Sequence, residues 1–140
     1  MAQKSAPAEE QAAPSGWDRL VDQYFDDYYF PFHPTAGTSA GFHRYDTQLE
    51  DYSRAGVEAE IKSLKQVRGK IEGFRASGLT AEQQSDRELL LHEIDGRLLD
   101  LEQIRQWERN PDRYASGITY SVFLIMSRKF APPEERLRSL

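Results

Sequence analysis

The pentapeptide His92-Glu93-Ile94-Asp95-Gly96 is the stretch of this chain that comes nearest to a metal site. In a His-Glu-x-x-His helix two imidazoles share one face, and the carboxylate acts as general base on a zinc-bound water. Here Gly96 stands where the second histidine belongs, so His92 reads as a surface or hydrogen-bonded side chain, and replacing it by Ala should leave metal content unchanged. His33 and His43 lie in irregular chain and could converge, but their spacing gives no ligand pattern; the simpler reading is that they order the loop through backbone hydrogen bonds. Asp18, Asp22 and Asp26 repeat at i, i+4, i+8, a carboxylate stripe that suits a solvated face or salt bridges to another helix better than a hard cation, which draws ligands from several elements. Trp17, Tyr24, Phe25, Tyr28, Tyr29, Phe30 and Phe32 are more aromatic side chains than one helix face buries. Either both sides are covered by core or they line a groove for a peptide or other ligand. No nucleophile with an adjacent base and no full ligand set emerges. No catalytic, cofactor-binding or metal-ligating residue is therefore assigned in these residues.

The elements that must position such groups follow from composition and periodicity. With 140 residues, 39% hydrophobic and 29% charged, the chain can bury one core, and no apolar run approaches the ~20 residues of a membrane span. The net charge of −5 and the absence of a basic patch argue against nucleic acid as a partner. Cysteine is absent, which excludes disulfides, thiol catalysis and a lipid-modified cysteine in this stretch. Residues 1–15 are small, polar and proline-containing, the composition of a disordered lead-in of the kind that follows a removed export signal, although Met1 itself begins no signal peptide. Residues 16–140 are predicted to be a helical portion of a larger domain.

Within that portion, Ser15 caps a helix over Trp17–Phe30 that Pro31 and Pro34 interrupt, leaving at most a short helix over Thr35–Gly41 and a loop over Phe42–Ser53. Val57, Ile61, Leu64, Val67, Ile71 and Phe74 define a long helix from Ser53, with Glu58 placed to pair with Lys62, that Ser77-Gly78 closes. Thr80 and Gln83 form a capping box that opens a second long helix running to Trp107, with Leu90, Leu91, Ile94, Leu98, Leu101 and Ile104 buried. The two must lie antiparallel as a hairpin. Asn110-Pro111 stops the second helix, with Glu108 and Arg109 free to pair across the corner. Tyr114–Ser127 makes a third helix on Tyr114, Ile118, Val122, Ile125 and Met126, although its alternation also fits a strand. Pro132-Pro133 opens one more helix, and Leu140 falls about two turns into it. The predicted class is all-α, an antiparallel hairpin packed with an aromatic N-terminal helix and a third helix.

Three blocks point to a family. Pro34-Thr35-Ala36-Gly37-Thr38-Ser39-Ala40-Gly41-Phe42-His43-Arg44-Tyr45-Asp46, Gln106-Trp107-Glu108-Arg109-Asn110-Pro111-Asp112-Arg113-Tyr114 and Arg128-Lys129-Phe130-Ala131-Pro132-Pro133-Glu134-Glu135-Arg136-Leu137 resemble, in order and spacing, the N-terminal region of bacterial proteins grouped as domain of unknown function 885. That resemblance implies a much longer, often exported protein similar to helical zinc metallopeptidases, whose metal motif lies far downstream. On this expectation the chain is a non-catalytic scaffold, its partner is the remainder of its own polypeptide beyond Leu140, and zinc and a peptide-like substrate belong to the parent protein. The alternative is a self-contained helical module that binds a protein partner through its aromatic helix or acidic stripe.

Overall fold

Ser15 opens the first helix. Its hydroxyl accepts from the Asp18 amide at 3.1 Å, and the Asp18 carboxylate accepts from the Ser15 amide at 2.9 Å, satisfying two donors at the start of α1 (Gly16–Gln23). The computed structural model describes residues 15–140, so the lead-in expected over residues 1–15 lies, apart from Ser15, outside the described residues. Helices follow one another with no strand among the described residues, which makes the fold all-α: α2 (Phe30–Phe32), α3 (Pro34–Ser39), α4 (Arg54–Gly73), α5 (Ala81–Leu99), α6 (Gln106–Arg109), α7 (Asp112–Ser127) and α8 (Pro133–Arg138).

Two wide, π-helical turns shape this array. The first, Tyr24–Tyr29, joins α1 to α2, and the Phe30 amide reaches back to the Phe25 carbonyl, one residue further than in an α-helix. The helix consequently passes through Pro31, where an interruption was expected. It stops instead at His33, since the residue before Pro34 is pushed out of helical geometry. The second wide turn, Asp100–Ile104, ends α5, and Arg105 follows in the left-handed conformation at φ 58°. The single helix expected up to Trp107 is thus broken. Ile104, placed in the buried stripe from its spacing, turns outward and is 45% exposed, while Trp107 swings into the core.

The hairpin itself forms as predicted. Ser53 and Thr80 cap α4 and α5, the latter with Gln83 in a full capping box, and Val57, Leu64, Val67 and Ile71 meet Ile94 and Leu101 in one cluster with Trp17, Tyr24, Tyr28 and Trp107. Leu90, Leu91 and Leu98 pack at its edge. Gly78 does not close α4: the helix ends at Gly73, Phe74 is extended, and Ala76–Gly78 form a separate 3-10 turn. The ion pair within α4 is Arg68 to Glu72 at 2.8 Å, not Glu58 to Lys62. Glu108 likewise pairs with Arg54 at 2.9 Å and with Arg105, not with Arg109.

Between α3 and α4 the chain folds into a tight knot. A Cβ on Gly37 would stand 2.5 Å from the Tyr45 ring, and Gly41 turns the backbone at φ +92°. Replacing Gly37 by Ala is expected to cost about 1–3 kcal/mol through overpacking against Tyr45, measured as a lower urea midpoint at unchanged m-value.

Helix α7 is a helix and not a strand, and it buries only part of the line predicted. Ile125 faces inward as expected, together with Ser121 and Leu124, and Tyr114 turns its hydroxyl to the Trp107 carbonyl, whereas Ile118, Val122 and Met126 face out. The inner line is chosen by close approach of α3, whose Thr35 hydroxyl sits 2.7 Å from that of Ser121. Arg136 on α8 is buried and donates to the carbonyls of Ile125, Met126, Arg128 and Ala131 at 2.6–3.3 Å, capping the end of α7 with a cation.

Candidate functional site

Two polar clusters lie inside the helical array. The first is built on Glu60, an acid within the apolar stripe of α4, and on Arg97 one α5 turn beyond Ile94. Arg97 grips Glu60 with both prongs, Nε to Oε1 at 2.8 Å and Nη2 to Oε2 at 2.9 Å. Tyr28, aimed inward by the first wide turn, donates to Glu60 at 3.4 Å. Asp100, which opens the second wide turn, accepts from Arg97 at 3.3 Å and from Arg113 of α7 at 2.9 Å. A charge-balanced chain of side chains therefore ties the aromatic helix, the hairpin and α7 together. Its chemistry is structural. Burial, with the neighbouring Glu60 carboxylate, raises the Tyr28 phenol far above its ordinary range, so it stays a proton donor. Tyr24 beside it is pushed up to about 12, mainly by burial and then by Glu93.

His33 flanks this cluster. Its Nδ1 stands 2.8 Å from the Tyr29 carbonyl and must carry the proton there, and its ring stacks on Tyr29 with centroids 4.8 Å apart. Burial lowers its pKa from 6.5, an effect that Glu60, 3.6 Å from Nε2, only partly offsets. A histidine depressed in the folded state binds fewer protons than in the unfolded state. Its stability contribution is complete above pH 6.5 and is lost as pH falls toward the depressed folded value. The unfolding free energy of the native protein from urea titrations should therefore decline as pH falls below 6.5, and His33→Gln should flatten that decline. Asp18, Asp51 and Asp95 do not confuse the reading. Hydrogen bonds from Ser15, Ser53 and Arg68 respectively hold them below 3.8, so their contributions disappear only in more acidic solution.

The second cluster is the knot after α3. Asp46 is buried and accepts from the Thr38 hydroxyl at 2.8 Å, with His43 Nδ1 at 3.0 Å from its other oxygen. His43 stacks on Phe130, centroids 4.1 Å apart, and the Arg128 guanidinium donates to the Ser39 carbonyl. Next to it Glu50 accepts from the amide and hydroxyl of Thr35 at 3.1 and 2.8 Å. A cavity of about 110 Å³ opens between the knot and α7, lined by Thr35, Thr38, Asp46, Ser121, Leu124 and Ile125 among others. Hydroxyl, carboxylate and imidazole are all present, but in the wrong order for nucleophilic catalysis. Activation of a hydroxyl needs the imidazole between it and the carboxylate, and here Asp46 sits between Thr38 and His43.

The residues considered from sequence separate accordingly. His33 and His43 do not converge: they take Tyr29 and Asp46 as partners, so the backbone role holds for His33 and gives way to a carboxylate for His43. His92 is exposed on α5. Asp18 is spent on the α1 cap and on Gln83, and Asp26 pairs with Arg44 at 2.6 Å across to the knot. Of the aromatic residues of α1 and the first wide turn, Trp17, Tyr24 and Tyr28 are core, buried against the hairpin, while Phe25 stays exposed. Among the described residues no three His, Asp or Glu side chains converge as a metal-ligating group, and no buried side-chain nitrogen or oxygen lacks a hydrogen-bond partner. Glu60, Arg97, Asp100 and Arg113 went unread in the sequence, although an acid inside the α4 apolar stripe was a usable signal.

No curated protein matches the chain. A solved structure from Shewanella oneidensis, described as "a putative lipoprotein of unknown function", has the same fold, with a TM-score of 0.78 at 23% identity over 90% of this chain. The chain spans 22% of the length of that protein. No helix among the described residues is long and apolar enough to cross a membrane. The family described as "Bacterial protein of unknown function (DUF885)" matches residues 34–140, from the opening of α3 through the knot, the hairpin, α7 and α8, and the chain belongs to that family.

Proposed function

We propose that this chain is the helical N-terminal region of a larger, exported, zinc-dependent peptidase-like hydrolase, in which it serves as scaffold and supplies no catalytic group. The observation that carries this reading is the recurrence of the fold as 22% of a longer chain. The polar clusters agree with it, because their carboxylates, imidazoles and hydroxyls are consumed by one another. Export is supported by the description of the Shewanella oneidensis protein as a lipoprotein. Zinc and the peptide-like substrate would then be handled by other parts of the protein.

The test uses the full-length protein. Stoichiometric zinc, cleavage of a peptide library that a chelator abolishes, and unchanged zinc content in His33→Ala, His43→Ala and His92→Ala variants are expected. Absence of chelator-sensitive hydrolysis would remove the hydrolase reading. Loss of zinc on any of the three substitutions would remove the scaffold reading.

A further inference from the structure

Helix α7 is out of place at a water-facing surface. From Tyr114 to Ser127 it carries no charged residue, and its outer side exposes Ile118 at 54%, Phe123 at 61% and Tyr120 at 52%. The exposed sides of α4 and α5 provide the internal contrast, for they carry Glu58, Lys62, Lys65, Arg68, Asp95 and their like. Singly exposed residues such as Leu89 need no explanation, but a helical stretch of this length without charge on any side belongs in an interior.

The shape of the exposed surface limits what can cover it. At 100° per residue, the exposed apolar positions from Ile118 through Val122, Met126 and Phe123 to Tyr120 sweep about 200° of the helix circumference. One packed helix covers a stripe of roughly 100°. Ile118, Val122 and Met126 also form an i+4 ridge, the row that interdigitates with a second helix crossing at about −50°. A second copy of this chain meeting α7 along that ridge would leave Phe123 and Tyr120 in water on the other side. A transient partner would be expected to meet a polar, charged rim, and α7 from Tyr114 to Ser127 has no charge to provide one.

We infer that α7 is an interior helix of the larger protein, enclosed on its outer side by at least two helices from the remainder of the same polypeptide. This rests on reading the chain as one region of a longer protein, for which the 22% coverage of the matched structure provides the material. It does not depend on the hydrolase activity.

These residues contain no cysteine, so a thiol introduced at a chosen position is the only one in this region and is followed by peptide mapping. In the native full-length protein, Ile118→Cys and Phe123→Cys should react with a maleimide about a hundredfold more slowly than Glu58→Cys, at every protein concentration, and equally fast in urea. Hydroxyl-radical footprinting of the unsubstituted protein gives a reading that does not rely on the variants folding, and Tyr120, Phe123 and Met126 should be protected. Fast labelling or unprotected rings in the full-length protein would overturn the inference, leaving an external partner. Protection that disappears on dilution would overturn it in favour of a second copy. Protected thiols with no peptidase activity would sink the hydrolase and leave α7 an interior helix.

Discussion

Replacing Glu60 by Ala is expected to destabilise the protein by about 3–5 kcal/mol, enough to remove a large share of a typical domain's stability. The substitution strands Arg97, whose guanidinium is largely enclosed and whose two shortest hydrogen bonds go to Glu60. It also takes the Tyr28 hydroxyl's acceptor away. Removing one partner of a buried ion pair costs more than the pair itself is worth, because the survivor keeps its desolvation penalty without its compensation. The decisive comparison is therefore the double variant Glu60→Leu/Arg97→Met, which should recover most of the loss in urea denaturation. If it does not, the cluster contributes through packing geometry that apolar side chains cannot imitate. If Glu60→Ala itself costs under about 1 kcal/mol, the cluster is solvated and Arg97 is not left with an uncompensated buried charge.

Trp107→Ala should be comparably damaging, about 3–5 kcal/mol, for a different reason. The indole fills the corner between α5 and α7, its Nε1 donating to the Leu101 carbonyl at 3.0 Å, with the Arg54 and Arg105 guanidinium groups 5.3 and 5.7 Å from the ring. The Tyr114 hydroxyl closes the corner on the Trp107 carbonyl at 2.6 Å. Trp107→Phe keeps most of the apolar volume but leaves the Leu101 carbonyl unpaired, so a smaller loss of about 1–3 kcal/mol is expected. Trp17, the other of the two tryptophans, remains as the fluorescence reporter for both variants. Equal losses for Ala and Phe would mean that the hydrogen bond, and not the ring, holds the corner.

What was legible in the sequence was what short-range chemistry decides. The caps at Ser15 and Thr80 bond to amides three residues on, and the hairpin stripe from Val57 to Ile71 repeats within a single helix. The wide turns were not legible, because an extra residue per turn shifts every later side chain out of phase and is held by distant groups such as Arg113 on Asp100. That is why Ile104 was misplaced and Trp107 was not assigned to the core. The Glu60 cluster joins residues 37 apart in sequence, beyond any local pattern, although an acid in an apolar stripe marks such a partner. On α7 the misreading had a different origin. Periodicity selects the most apolar line, while the close approach of α3 selects the line of small residues containing Gly117 and Ser121. As for function, family membership was recognisable from the blocks around Pro34, Trp107 and Pro132, and the chemistry of the described residues adds structure to it without adding a reaction.

Arg136 sets how this end of the chain opens. One guanidinium on α8 holds the carbonyls of Ile125, Met126 and Arg128, so the last turn of α7 cannot fray while α8 stays docked, and α8 cannot leave without exposing those carbonyls. Amides from Leu124 to Leu140 are thus expected to exchange with solvent deuterium as one cooperative unit, in a single opening step that Arg136→Met would divide into two independent ones.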